Sequence, residues 1–144
     1  MINFLFFIFC TISLAICAQH QNQEPQKELN KTTMQDNSNS TPESTIKSLI
    51  DAMEANDGDK IRSLFHDNAS QAYGDGPSKS GKAFFKWLDS DIIDRKGHVE
   101  GAHFTTTGNE VVVTGQYSSE GYTNKANFLF FVKEGKIMSW QMRY

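Results

Sequence analysis

The stretch "HVEGAHFTTTGNEVVVTGQYSSEGYTNKANFLFFVKEGKIMSWQMRY", His98 to Tyr144, decides the fold. Its apolar residues recur with a period near two, the repeat of a half-buried strand. The turn signals "GN", "EGYT" and "EGK" cut it into "HVEGAHFTTT", "NEVVVTGQYSS", "NKANFLFFVKE" and "KIMSWQMRY". These turns carry hairpin chemistry, so the four pieces are expected to pair as an antiparallel meander. "NKANFLFFVKE" and "KIMSWQMRY" carry apolar residues on both faces near their middles. One face is therefore covered, and the other either shields a cavity or meets a second copy of the chain.

Upstream of Gly97 the period changes to that of a helix. In "TPESTIKSLIDAMEAND", Thr41 can cap, Pro42 suits the first helical position and Glu43 complements the positive helix end. Ile46, Leu49, Ile50 and Met53 form the buried stripe, with Lys47 and Asp51 facing water. "DGDKIRSLF" reads as a short second helix with Ile61, Leu64 and Phe65 in the core. An extended piece, Ala69 to Tyr73, precedes the Gly/Asp/Pro turn "GDGPSKSG". A third helix is expected from about Gly81 to Asp94, burying Phe84, Trp87, Leu88 and Ile92. Helices first and an antiparallel sheet afterwards define an α+β domain.

The segments "ANDGDKIRSLFHDNAS", "SGKAFFKWL" and "EGKIMSWQMRY", in this order and spacing, resemble the nuclear transport factor 2-like superfamily in its SnoaL-like branch. The resemblance spans nearly all of residues 43 to 144. It implies a cone-shaped (cystatin-like) fold, with three N-terminal helices packed on a strongly bent antiparallel sheet and a pocket at the open end. It implies no single reaction, because that fold hosts isomerases, hydrolases, dehydratases and binding domains alike. In the isomerase-like members the general base is an acid on the first strand, and a Tyr on the first helix donates to the oxyanion. Here Tyr73 or Gly74 falls at the acid's position. Asp75, between Gly74 and Gly76, reads as a turn residue. The first helix has no Tyr, the four tyrosines being 73, 117, 122 and 144. The expectation is therefore a non-catalytic domain that binds a small apolar or amphipathic molecule or docks a partner. The large side chains with polar handles, Tyr73, Trp87, His103, Tyr117 and Trp140, are the candidates for lining its pocket.

The alternative is an enzyme of isomerase, hydrolase or dehydratase type using Asp91 and His103 as an acid and base pair. On a helical wheel Asp91 falls with Phe84 and Trp87 on the apolar face. The bland reading is that the helix end, "DSDIID", opens into solvent. His103 has the matching bland reading of a half-buried strand residue. The four histidines share no ligand spacing, so neither a metal nor a cofactor is expected. The 14 Lys and Arg against 17 Asp and Glu, with no basic run longer than a pair, exclude a nucleic-acid partner. A homodimer through the sheet face is the partner that the resemblance implies.

Residues 1 to 18, "MINFLFFIFCTISLAICA", hold no charged side chain and read as a secretory signal peptide cut after Ala18. "LAIC" also resembles a bacterial lipoprotein box, with Cys17 the lipidation candidate, although Ile16 stands where a small residue is usual. Both readings make the protein exported, as a secreted or periplasmic chain or as a membrane-anchored lipoprotein. Contact with a membrane is expected only through that anchor or an uncleaved signal. Gln19 to Ser40 is polar and reads as a flexible tether, leaving residues 41 to 144 as the domain. Both cysteines, Cys10 and Cys17, precede the cut, so the domain holds together without a disulfide.

Overall fold

The structure, a computed structural model, describes residues 40 to 143. The signal peptide, nearly all of the tether and the candidate Cys17 lie outside the described residues. The elements run α1 (Pro42–Glu54), α2 (Gly58–Ser63), β1 (Phe65–Tyr73), β2 (Lys79–Ser80), α3 (Lys82–Trp87), β3 (His98–Thr107), β4 (Glu110–Ser119), β5 (Tyr122–Lys133) and β6 (Lys136–Met142). Thr41 caps α1 through its hydroxyl, which accepts from the Ser44 amide at 3.2 Å, and Pro42 opens the helix. Asp57 caps α2 in the same way, accepting from the Lys60 amide at 2.9 Å.

Six strands form one curved, unclosed sheet in the order β2-β1-β6-β5-β4-β3. The meander β3 to β6 is antiparallel throughout. Two features depart from the sequence reading. The extended piece expected from Ala69 begins at Phe65, which opens β1 and does not close the second helix. β1 also pairs in parallel with β6, with Gln71 opposite Trp140 and Tyr73 opposite Met142, so the sheet is mixed and not purely antiparallel. The reason is topological: the helical stretch between β2 and β3 carries the chain across a sheet face, so that β6, the last strand, comes to lie beside β1 in the same direction.

Register shifts between Phe65 and Ser70, Glu100 and His103, and Phe131 and Val132 bend the sheet. At the β3 shift, three steps from Glu100 to His103 oppose two steps from Gln116 to Thr114, so one extra residue is inserted. Gly101 takes the positive φ of 59° that the insertion needs. The backbone there comes so close to β4 that a Cβ on Gly115 would fall 2.7 Å from the Glu100 carbonyl oxygen.

The third helix also differs from expectation. After Trp87 it loosens into a π-helical segment, Leu88–Ile93, with Asp94 N–H donating to Asp89 C=O at 2.8 Å. The core lies between the helices and one sheet face. Ile46, Leu49 and Met53 of α1, Phe84, Leu88 and Ile92 of the third helix, and Val111, Val113, Phe130 and Trp140 of the sheet are all almost wholly shielded from solvent.

Candidate functional site

The Glu120-Gly121 hairpin sets the site's register, placing Ser119 opposite Tyr122 and Tyr117 opposite Asn124. Tyr117 and Phe128 therefore share a face and meet edge to face, with ring centroids 5.8 Å apart. Tyr122 covers Tyr117 at 6.2 Å, and its hydroxyl accepts from the Asn124 amide at 3.0 Å. From the opposite side the π-helical segment brings up Asp91 and Ile92, and the ends of β1 and β6 bring Tyr73 and Met142. These side chains, with Arg95, Ser119, Lys125 and Arg143, enclose a cavity of about 310 Å³. That is at the small end of the range for small-molecule sites, about 300–1,000 Å³. A wider groove of about 580 Å³ runs between α1 and β3, but Lys47, Asp51, Glu54 and Glu100 border it and it holds no comparable aromatic wall.

Tyr73 bonds into the wall. Its hydroxyl accepts from the Trp87 indole at 2.9 Å, and the two rings meet at 86°. Lys79 Nζ lies 5.2 Å from the Tyr73 ring centroid, a cation–π contact. Trp87 thus stands one hydrogen bond behind the cavity and does not line it.

Trp140, expected on the lining, is fully buried. It packs against Trp87 and Phe128 at 5.4 Å and Phe130 at 5.1 Å, because β6 is flanked by β1 and β5 and its inward side chains fill the centre of the core. His103 is also absent from the cavity. Alternation from Val99 would turn it inward, but the extra residue at Gly101 reverses the parity. Phe104 takes the inward position opposite Val113, and His103 is exposed opposite Thr114. The Asp91 and His103 pair is therefore not assembled.

Asp91 itself is half-buried on the cavity wall rather than released into solvent. The π-helical segment has more residues per turn than the wheel assumes, which shifts Asp91 away from Leu88 and Ile92 and toward the opening. Its carboxylate accepts from the Ser90 hydroxyl at 2.7 Å. Asp75 stays in its turn, 3.5 Å from the Gln141 amide. Among the described residues no group of three or more His, Cys, Asp or Glu side chains is arranged to hold a metal.

Burial pushes the Tyr117 phenol above its ordinary range. The Ser119 hydroxyl opposes the shift, the Tyr73 phenol and Asp91 add to it, and Arg95 opposes it more weakly. Tyr117 is thus a neutral hydrogen-bond donor at physiological pH. The unfolded chain loses this proton near pH 10 while the folded protein retains it. The stability that this group contributes is therefore complete below about pH 10 and is lost as pH rises through the folded value. Urea midpoints measured across alkaline pH are expected to fall more steeply for the parent than for Tyr117→Phe, and equal slopes would refute the assignment. Gly97 supports this placement, since a Cβ there would fall 2.5 Å from the Tyr117 hydroxyl.

Arg95, Lys125 and Arg143 were not singled out in the sequence. The hairpin register around "EG" brings only Lys125 of the three beside residues 117 to 124, and no local signal marks Arg95 or Arg143.

No family model matches the chain, and no curated protein matches it. Solved structures do match. An NTF2-like protein of unknown function from Cytophaga hutchinsonii superposes with a TM-score of 0.61 at 17% identity, over 72% of this chain and 88% of its own. The epoxide hydrolase/cyclase-like enzyme SalBIII, linked to pyran ring formation in the polyether salinomycin, gives 0.61 at 18% identity, over 71% and 88%. A computationally designed 17-OHP binder gives 0.61 at 21% identity, over 74% of this chain and 92% of its own. At such identities the likeness is one of architecture. Residues 40 to 143 form a domain with the nuclear transport factor 2-like fold.

Proposed function

We propose that the protein is an exported small-molecule-binding domain that holds an amphipathic ligand in the Tyr73–Tyr117–Phe128 cavity without transforming it. The observation that carries this reading is the composition of the wall. Aromatic and aliphatic faces supply contact area, and Tyr117, Ser119, Tyr122 and Asn124 supply a few oriented polar groups, which is how small-molecule sites are built. Binding without chemistry is supported by the resemblance, which aligns Tyr73 or Gly74 where an isomerase would carry its acid, and by His103 facing away. The leader-like residues 1 to 18 support export. Both a designed ligand binder and an enzyme of the cyclase type share the architecture, so the fold is compatible with either outcome.

The test is a titration with N-phenyl-1-naphthylamine, a neutral apolar probe whose emission rises in an apolar site. Saturable binding is expected, and Ser119→Trp, which fills the cavity from β4, is expected to weaken it by about tenfold or more, equivalent to about 1.4 kcal/mol. Saturable binding that Ser119→Trp leaves intact would place the site elsewhere and sink the reading.

A second reading rests on one observation: Asp91 shares the cavity with three phenols, Tyr73, Tyr117 and Tyr122. A carboxylate base with phenolic donors is a proton-transfer arrangement. Asp91→Asn separates the two, since it abolishes turnover in an enzyme and leaves a binding protein able to hold the apolar probe.

A further inference from the structure

We infer that the cavity selects an amphipathic anion, a molecule with a short apolar body and a single carboxylate. The inference rests on the binding reading above and names its ligand class. Three cations, Arg95, Lys125 and Arg143, border the cavity against one carboxylate, Asp91. This excess of positive charge stands out on a chain whose formal net charge is −3.

Among the described residues none of Arg95, Lys125 and Arg143 forms an ion pair, a state they share with surface lysines such as Lys60 and Lys133, so what distinguishes them is their place on the cavity border. One acid beside Arg95 is diverted. Glu120 donates its backbone N–H to the Arg95 carbonyl at 2.8 Å, but its carboxylate is held by Lys96 at 2.7 Å.

Arg143 is positioned without being neutralised. Its Nε and Nη2 donate to Asn127 Oδ1 at 3.2 and 2.9 Å, a neutral acceptor, which leaves further guanidinium donors for a ligand. A carboxylate at the rim would meet these charges together with the neutral Tyr117 phenol. The apolar body would lie on Phe128, Ile92 and Met142. A cation is disfavoured by the same charges, and a neutral ligand gains nothing from them.

The experiment compares decanoate with 1-decanol, which has the same chain length and no charge, by calorimetry and tryptophan fluorescence at about pH 7.5, where the acid is ionised. The full chain is used throughout, so any binding to residues 1 to 18 is common to all samples. Decanoate is expected to bind at least about tenfold more tightly than decanol. Raising the salt from about 50 to about 500 mM is expected to shrink that ratio by screening. The double variant Arg95→Gln/Lys125→Gln, both exposed positions, is expected to bring the ratio to within about twofold of one. Equal affinities in the parent, or a preference that the double variant retains, would overturn the inference and leave the binding reading standing. Failure of both ligands to bind, together with no response to Ser119→Trp, would remove both.

Discussion

Trp140→Ala is expected to destabilise the domain by about 3–5 kcal/mol, the usual cost of deleting a buried Trp or Phe. Trp140 is fully shielded and lies in ring contact with Trp87, Phe128 and Phe130, with Phe65 stacked at 6.2 Å. Truncation would leave a cavity bordered by β1, β5 and the third helix, and that ring cluster cannot collapse into it without moving the strands. For a domain of this size each kcal/mol lowers the melting temperature by about 4–8 °C. A fall of roughly 12–40 °C follows, or a protein that does not fold at 37 °C. Trp140→Phe is the control. It keeps an aromatic ring in the cluster and removes an indole N–H that is buried without a hydrogen-bond partner among the described residues. The loss of volume and the removal of the orphan donor act in opposite directions, so its urea midpoint is expected to lie well above that of the alanine variant. Equal losses for the two would show that packing around Trp140 is not what holds the sheet to the helices.

Gln71→Met is expected to raise stability by about 1–3 kcal/mol, the cost of leaving a buried polar group unsatisfied. Gln71 is only 1% exposed, and both its amide nitrogen and its amide oxygen lack a partner among the described residues. Methionine is close in length and volume, so the change removes the polar atoms while conserving shape. Most core substitutions destabilise, which makes a gain at this position diagnostic. The check is the urea midpoint at constant m-value. A lower midpoint would show that enclosed water satisfies the amide in solution, and the expectation would fail.

The elements that the sequence made legible are those governed by local chemistry. Period two marks β3 to β6. The turn between β5 and β6 follows from Glu134 and Gly135, both at positive φ, 51° and 72°, as a two-residue hairpin turn requires. Thr41, Pro42 and Glu43 announce the start of α1 in the same local way. The elements that stayed hidden depend on residues distant in sequence or on a single inserted position. The pairing of β1 with β6 is set by tertiary packing and leaves no local mark. The inserted residue at Gly101 turned His103 outward, and an isolated Gly inside a strand pattern was its only sign. At the site, Tyr73, Asp91 and Tyr117 stand on the cavity wall, Trp87 one bond behind it and Trp140 in the core. A polar handle on a large ring cannot tell these apart, because each of these depths accommodates an amphipathic ring. The basic rim was invisible for a different reason: Arg95 in a turn, Lys125 inside β5 and Arg143 just past β6 look like isolated solvated surface until the fold brings them together.

The parallel pairing of β1 with β6 has a consequence for how the protein is made. The neighbours β1 and β6 come from opposite ends of the domain, so the bond between them has high contact order. During synthesis the hairpins of β3, β4 and β5 can zip as they emerge, whereas β1 and the third helix have no sheet to join until the last strand is complete. Until then Phe65 and Trp87 lack the Trp140 side chain that packs against both. A nascent chain with these groups uncovered is prone to aggregate and is a natural client for a chaperone that keeps it open.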